Sequence, residues 1–173
     1  ANTWGRVTSY IDAGASPFIS SMTQTTDGTL YVATGSDNEG WSGNGVWYTQ
    51  DNGNTWNQIP GTNNCTEIVS SDLADDKWVW MATTSGLRKW KVGEATMTTV
   101  PVASGSCRAL KISGDGQVIV ASFQTNKTYV STDGGDTFEG KFGSANNNLV
   151  PNGASRIEYA ISAAANSTGA YSI

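Results

Sequence analysis

Within GSDNEGWSGNG (35–45), Asp37, Asn38, Glu39 and Trp41 set two carboxylates, an amide and an indole between glycines. An indole offers a flat apolar face to a sugar ring, and neighbouring carboxylate and amide groups can bond its hydroxyls. The same residues suit a solvated loop whose Trp41 folds back onto the fold, or a calcium loop using Asp37 and Glu39. Arg108 and Arg156 suit another task, because a guanidinium fork grips a carboxylate through two bonds. Glu67 and Glu158 are candidates for an acid and nucleophile pair, which glycoside cleavage with retention needs about 5–5.5 Å apart. Lining a channel is the plainer role for Glu67. The chain has no histidine, which removes the usual hydrolytic triads and histidine metal sites. No glycine loop opens a helix to cradle phosphate. No catalytic residue, metal or cofactor is expected.

The elements that must position these groups come from a repeat. Three segments line up, at 18–62, 64–106 and 107–142, with a period of about 42–46 residues, the range of a four-stranded propeller blade. Alternating apolar residues and turn signals give the same four strands in each. The first reads ISSMTQT, LYVATG, GVWYTQ and TWNQI; the second EIVSSD, KWVWMAT, GLRKWKV and MTTVPV; the third ALKIS, QVIVASF, KTYVST and TFEGKF. GSDNEGWSGNG joins strands two and three of the first repeat, and the second has no such insertion. By the same strand count Phe18, Phe123, Gln124, Asn126 and the asparagines 146–148 belong to the insertion's face.

The third turn of the first repeat is TQDNGNTW (49–56) and that of the third is STDGGDTF (131–138). Asp51 and Asp133 can accept backbone N–H bonds across the turn. Gly53 and Gly135 tolerate positive φ. Thr55 and Thr137 start the returning strand, and Trp56 and Phe138 can tuck between sheets. A calcium site is the alternative, although each turn supplies fewer than the six to eight oxygens calcium takes.

These octets resemble the Asp-box, or bacterial neuraminidase repeat, of sialidases, xyloglucan-cleaving glucanases, sortilin-type receptors and secreted bacterial repeat proteins. The resemblance covers about residues 18–142 and implies a β-propeller. It implies that the boxes lie between the third and fourth strands, on the rim opposite the ligand face. It does not choose an activity, because the box occurs in unrelated functions. The Arg-Ile-Pro stretch that precedes the first box in sialidases is missing.

Composition bounds the partners. The chain has 173 residues, 38% hydrophobic and 14% charged, with seven Trp and a net charge of −5. Without a basic cluster, neither nucleic acid nor an anionic membrane is an expected partner. No apolar run reaches the roughly 18 residues of a membrane span. Polar, Asn-rich strands point to an extracellular or cell-surface location, with the periplasm also open. Cys65 and Cys107 start the first strands of adjacent repeats, so a disulfide and a pair of buried thiols are both open readings.

The expected architecture is all-β, a partial propeller of three whole blades at 18–62, 63–106 and 107–153. Residues 1–17 supply the last strand of a preceding blade, with TWGRVTSY (3–10) as that strand, and 154–173 start a further one. Propellers close so that no strand edge stays open. The remaining blades would come from a longer chain or a second copy, or the terminal strands would close a four-bladed ring. The functional expectation is a binding module for a protein or carbohydrate, acting through Asp37, Asn38, Glu39, Trp41, Phe123, Arg108 and Arg156. A fragment of a glycoside hydrolase is the alternative, and a sortilin-like ectodomain is disfavoured because no cysteine-rich appendage follows.

Overall fold

A computed structural model describes residues 8–35, 43–62, 65–71, 78–124, 127–143 and 157–173; of 66–71 and 141–143 it describes the backbone alone. The fold is all-β. Among the described residues twelve strands form three four-stranded antiparallel sheets, each in simple meander order. The first holds β1 (Ile19–Gln24), β2 (Leu30–Thr34), β3 (Val46–Thr49) and β4 (Asn57–Gln58). The second holds β5 (Cys65–Ser71), β6 (Trp78–Thr83), β7 (Gly86–Trp90) and β8 (Thr98–Thr99). The third holds β9 (Cys107–Ile112), β10 (Ile119–Phe123), β11 (Lys127–Ser131) and β12 (Glu139–Gly143).

The middle strands are buried on both faces, which explains why LYVAT, WVWMAT and IVASF read as nearly continuous apolar runs. Side chains alternate across each strand and so divide between two neighbours. Tyr31, Ala33 and Val46 meet Val79, Met81 and Trp90 in the core between the first and second sheets. Trp80, Ala82 and Leu87 meet Leu110, Ile119 and Ala121 between the second and third. The inner strands touch in the order β1, β5, β9. The sheets therefore stack as blades around a common side, and no sheet closes on itself.

One local device recurs without a sequence signal. Each sheet has a bulge where its inner strand begins, between Ile19 and Ser21, between Cys65 and Glu67, and opposite Ser122 and Phe123. A bulge bends the strand and strengthens its twist. Repeated at one place, it turns each inner strand the same way.

Neither chain end forms a strand ladder among the described residues. TWGRVTSY was expected to be a strand, but Ser9–Asp12 forms one turn of helix, α1. Tyr10 of that turn meets Trp56 edge-on, with ring centroids 5.9 Å apart. The other residues of that stretch up to Val7 lie outside the described residues. Residues 157–173 form no ladder, although Ser162 N–H donates to the Ser172 carbonyl at 3.0 Å. Tyr159, Ile161 and Tyr171 cover Val118, Val120 and Val130, the outer face of the third sheet.

Candidate functional site

The octets are hairpin turns between β3 and β4 and between β11 and β12. Asp51 accepts the Thr49 hydroxyl at 2.8 Å, the Thr55 amide at 2.9 Å and the Thr55 hydroxyl at 2.6 Å. Asp133 does the same with the Ser131 hydroxyl at 2.6 Å, the Thr137 amide at 3.0 Å and the Thr137 hydroxyl at 2.5 Å. The leading hydroxyl in turn accepts the glycine amide, from Gly53 at 2.9 Å and from Gly135 at 2.8 Å. Bonding by Thr55, then Thr49, holds the Asp51 carboxyl at about 2. Ser131 and then Thr137 push Asp133 lower still. With their lone pairs committed to the turn, these carboxylates are poor metal ligands or proton donors.

The aromatic that ends each octet packs inward. Trp56 Nε1 donates to the Gly53 carbonyl and to Ser9 Oγ. Phe138 lies 6.5 Å from Trp80 of the preceding sheet. Gly135 has φ +94°, and a Cβ there would sit 2.3 Å from the Trp80 ring. Glycine is therefore required for space as well as for backbone.

The same hydroxyl-x-Asp pair also builds the first hairpins, where sequence reading saw only a turn. Thr25 Oγ1 donates to Asp27 at 2.7 Å, and Ser113 Oγ donates to Asp115 at 2.6 Å. Tyr171 also donates to Asp115, tying residues 157–173 to the third sheet. First and third hairpins share one rim, because neighbouring strands are antiparallel. On that rim the described turns of the first and third sheets satisfy their own polar groups.

The opposite rim carries the second hairpins and the links between sheets. Asp37, Asn38, Glu39 and Trp41 lie outside the described residues, as do Arg156 and Asn126. The base of their loop is described. Asn44 Oδ1 accepts the Ser16 amide at 2.8 Å and Trp47 Nε1 at 3.2 Å, while Asn44 Nδ2 donates to the Gly14 carbonyl at 2.6 Å. A Cβ on Gly43 would lie 2.1 Å from the Thr34 carbonyl. The loop thus leaves a fixed base, beside Phe18, which is 42% exposed and accepts the Gly35 amide at 2.8 Å. Asn44 was missed in the sequence, since a lone asparagine in a polar loop has no distinguishing neighbours.

Phe123 does not face a ligand. It is 2% exposed and meets Tyr129 edge-on at 5.6 Å, inside the core between the second and third sheets. Arg108 is half-buried at the bulge of β9. Glu158 is exposed, and the side chain of Glu67 lies outside the description. Cys65 and Cys107 are free thiols rather than a bridge. They point into different cores, Cys65 between the first and second sheets and Cys107 between the second and third. Burial raises the Cys65 thiol to about 12.

On this rim a notch of about 50 Å³ opens between the first two sheets, lined by Gly61, Thr62, Thr83, Thr84, Ser85 and Arg88, with Met97 beneath. Arg88 Nη1 donates to Thr99 Oγ1, and Nη2 donates to the Ser85 carbonyl at 3.3 Å. One oriented guanidinium among hydroxyls suits a carboxylate or sugar hydroxyl. The notch is far below the roughly 300–1,000 Å³ that encloses a drug-sized ligand. It fits one polar group of a larger partner. Among the described residues no cluster of three or more Cys, Asp or Glu is arranged to hold a metal.

No protein-family model and no curated protein matches this chain. Solved structures do match. The extracellular domain of the hybrid two-component system protein BT4673 from B. thetaiotaomicron aligns over 78% of this chain at 17% identity and a TM-score of 0.55. YCF48 from Cyanidioschyzon merolae aligns over 75% at 19% identity and a TM-score of 0.52. This is a propeller-type fold. The chain spans 18% of the first protein and 42% of the second. At such identities the likeness concerns the fold alone.

Proposed function

We propose that this chain is a β-propeller binding module of the Asp-box type, part of a larger secreted or cell-surface protein, and that it meets a protein or glycan through the rim opposite the octets. The difference between the two rims carries the reading. On the octet rim Asp27, Asp51, Asp115 and Asp133 serve their own turns. On the other rim Arg88 faces a hydroxyl-lined notch, and Phe18 stands exposed at the foot of an anchored loop. The hydroxyl-x-Asp bonding of both octets supports the Asp-box resemblance. An extracellular location is supported by one structural neighbour being an extracellular domain. No described helix is long and apolar enough to cross a membrane.

The test is a glycan array together with retention of proteins from a cell-surface extract, run with Arg88→Ala and Phe18→Ala. Binding without turnover is expected, with each variant weakened roughly tenfold, about 1.4 kcal/mol. Release of sugar from an arrayed glycan would replace this reading with glycoside hydrolysis. Unchanged retention by both variants would place the contact elsewhere.

A further inference from the structure

The sheets present a series with one member left open. Each sheet turns one row of side chains toward the sheet before it and the other toward the sheet after it. Register identifies the equivalent positions. Ile19 pairs with Thr34, Cys65 with Thr83 and Cys107 with Phe123, so Ile19, Cys65 and Cys107 correspond. Met22 pairs with Val32 as Leu110 pairs with Ala121. Cys65, Cys107 and Leu110 are fully buried against the preceding sheet, whereas Ile19 is 44% and Met22 60% exposed. On this face Tyr10, Ile19, Met22, Leu30, Val32 and Trp56 line a groove of about 220 Å³, and none of the six is charged.

We propose that this groove seats one more four-stranded blade, carried by the same polypeptide N-terminal to Ala1. The occupant presents a row of large apolar side chains, as Tyr31 and Trp80 do at the two cores already formed. Its source follows from the connecting chain. Ile59 extends β4 by one ladder bond, its N–H to the Val46 carbonyl at 2.8 Å, and Val100 extends β8 likewise, to the Leu87 carbonyl at 3.0 Å. Ile59 and Cys65 share the first core and Val100 and Cys107 the second, so each link starts and ends in the core between its two sheets. Tyr10 and Ala15, on the segment entering β1, pack on the open face against Val32 and Trp56. The segment entering β1 therefore runs along this face as a link from a preceding outer strand would, and the rest of the face is open. The seat is read through Met22, whereas the proposed partner site is read through Arg88 and Phe18.

Methionine oxidation reads the seat directly, because sulfoxide formation follows exposure. The chain's three methionines form an internal scale, with Met81 buried, Met97 half-buried and Met22 open. Peroxide footprinting with peptide mapping is run on the native protein, beside an intact mass. The expected result is a mass above 18.2 kDa, with a further repeat before Ala1 and Met22 oxidising as slowly as Met81. Met22 oxidising about tenfold faster than Met81 overturns the proposal at any mass. Slow oxidation of Met22 without an N-terminal repeat also overturns it, and light scattering then reports whether a second copy fills the seat.

Discussion

Asp51, half-buried, and Asp133, exposed, are carboxylates whose charge is committed to their own turns. Their folded acidity lies below the ordinary value of 3.8, Asp51 at about 2. A group depressed on folding stabilises the fold fully above its unfolded value, and that contribution is lost as pH falls through the folded one. Urea midpoints should therefore hold down to about pH 4 and fall toward pH 2, with Asp51→Asn and Asp133→Asn flattening the decline; an unchanged acid limb in both variants would contradict it. The turn was legible because a hydroxyl two residues before Asp, and Thr four after it, is a local pattern. The cysteines were legible only as equivalent positions, since chain spacing does not reveal which core a side chain enters. With Cys65 raised to about 12 and both thiols buried, a thiol reagent at pH 8 should label neither before denaturation and both after it. Labelling of the folded protein, or none after unfolding without reductant, would contradict this assignment.

At the scale of the element, the second hairpin of the first sheet depends on one side chain. Asn44 bonds Ser16, Trp47 and Gly14 together, so it joins the loop to the segment entering β1. Asn44→Ala removes three acceptor contacts, the third from the Thr34 hydroxyl at 3.3 Å, and one donor contact, leaving a backbone amide and an indole N–H partly buried. The expected cost is about 1–3 kcal/mol in urea unfolding; a loss under a few tenths would mean that water replaces the side chain at no cost. The strands were legible because their alternation and turn residues are local, down to the short β4 and β8. The bulges were not, because Ser20 and Arg108 differ in type and share only a place in the ladder. Phe123 was misplaced for a related reason. The strand count put it near the right rim, but the bulge opposite it sets it against Cys107, where it closes a core.

Across the whole molecule, stability should follow the stack. Each sheet packs on its sequence neighbours, with separate cores on either side of the second sheet. Such an array behaves as intrinsic blade stabilities plus nearest-neighbour terms. Trp80 tests that description, because it is 2% exposed, stands beneath Gly135 and meets Phe138 across the second core. Trp80→Ala should cost about 3–5 kcal/mol through lost burial and a residual cavity. Its effect should be directional. Native-state hydrogen exchange should show protection lost mainly in β10 and β11, while β2 and β3 keep most of theirs through the first core, where Tyr31, Val79 and Met81 remain packed. Equal loss of protection across all three sheets would mean that the arc opens as one unit. The coupling between blades would then exceed the stability of any blade taken alone.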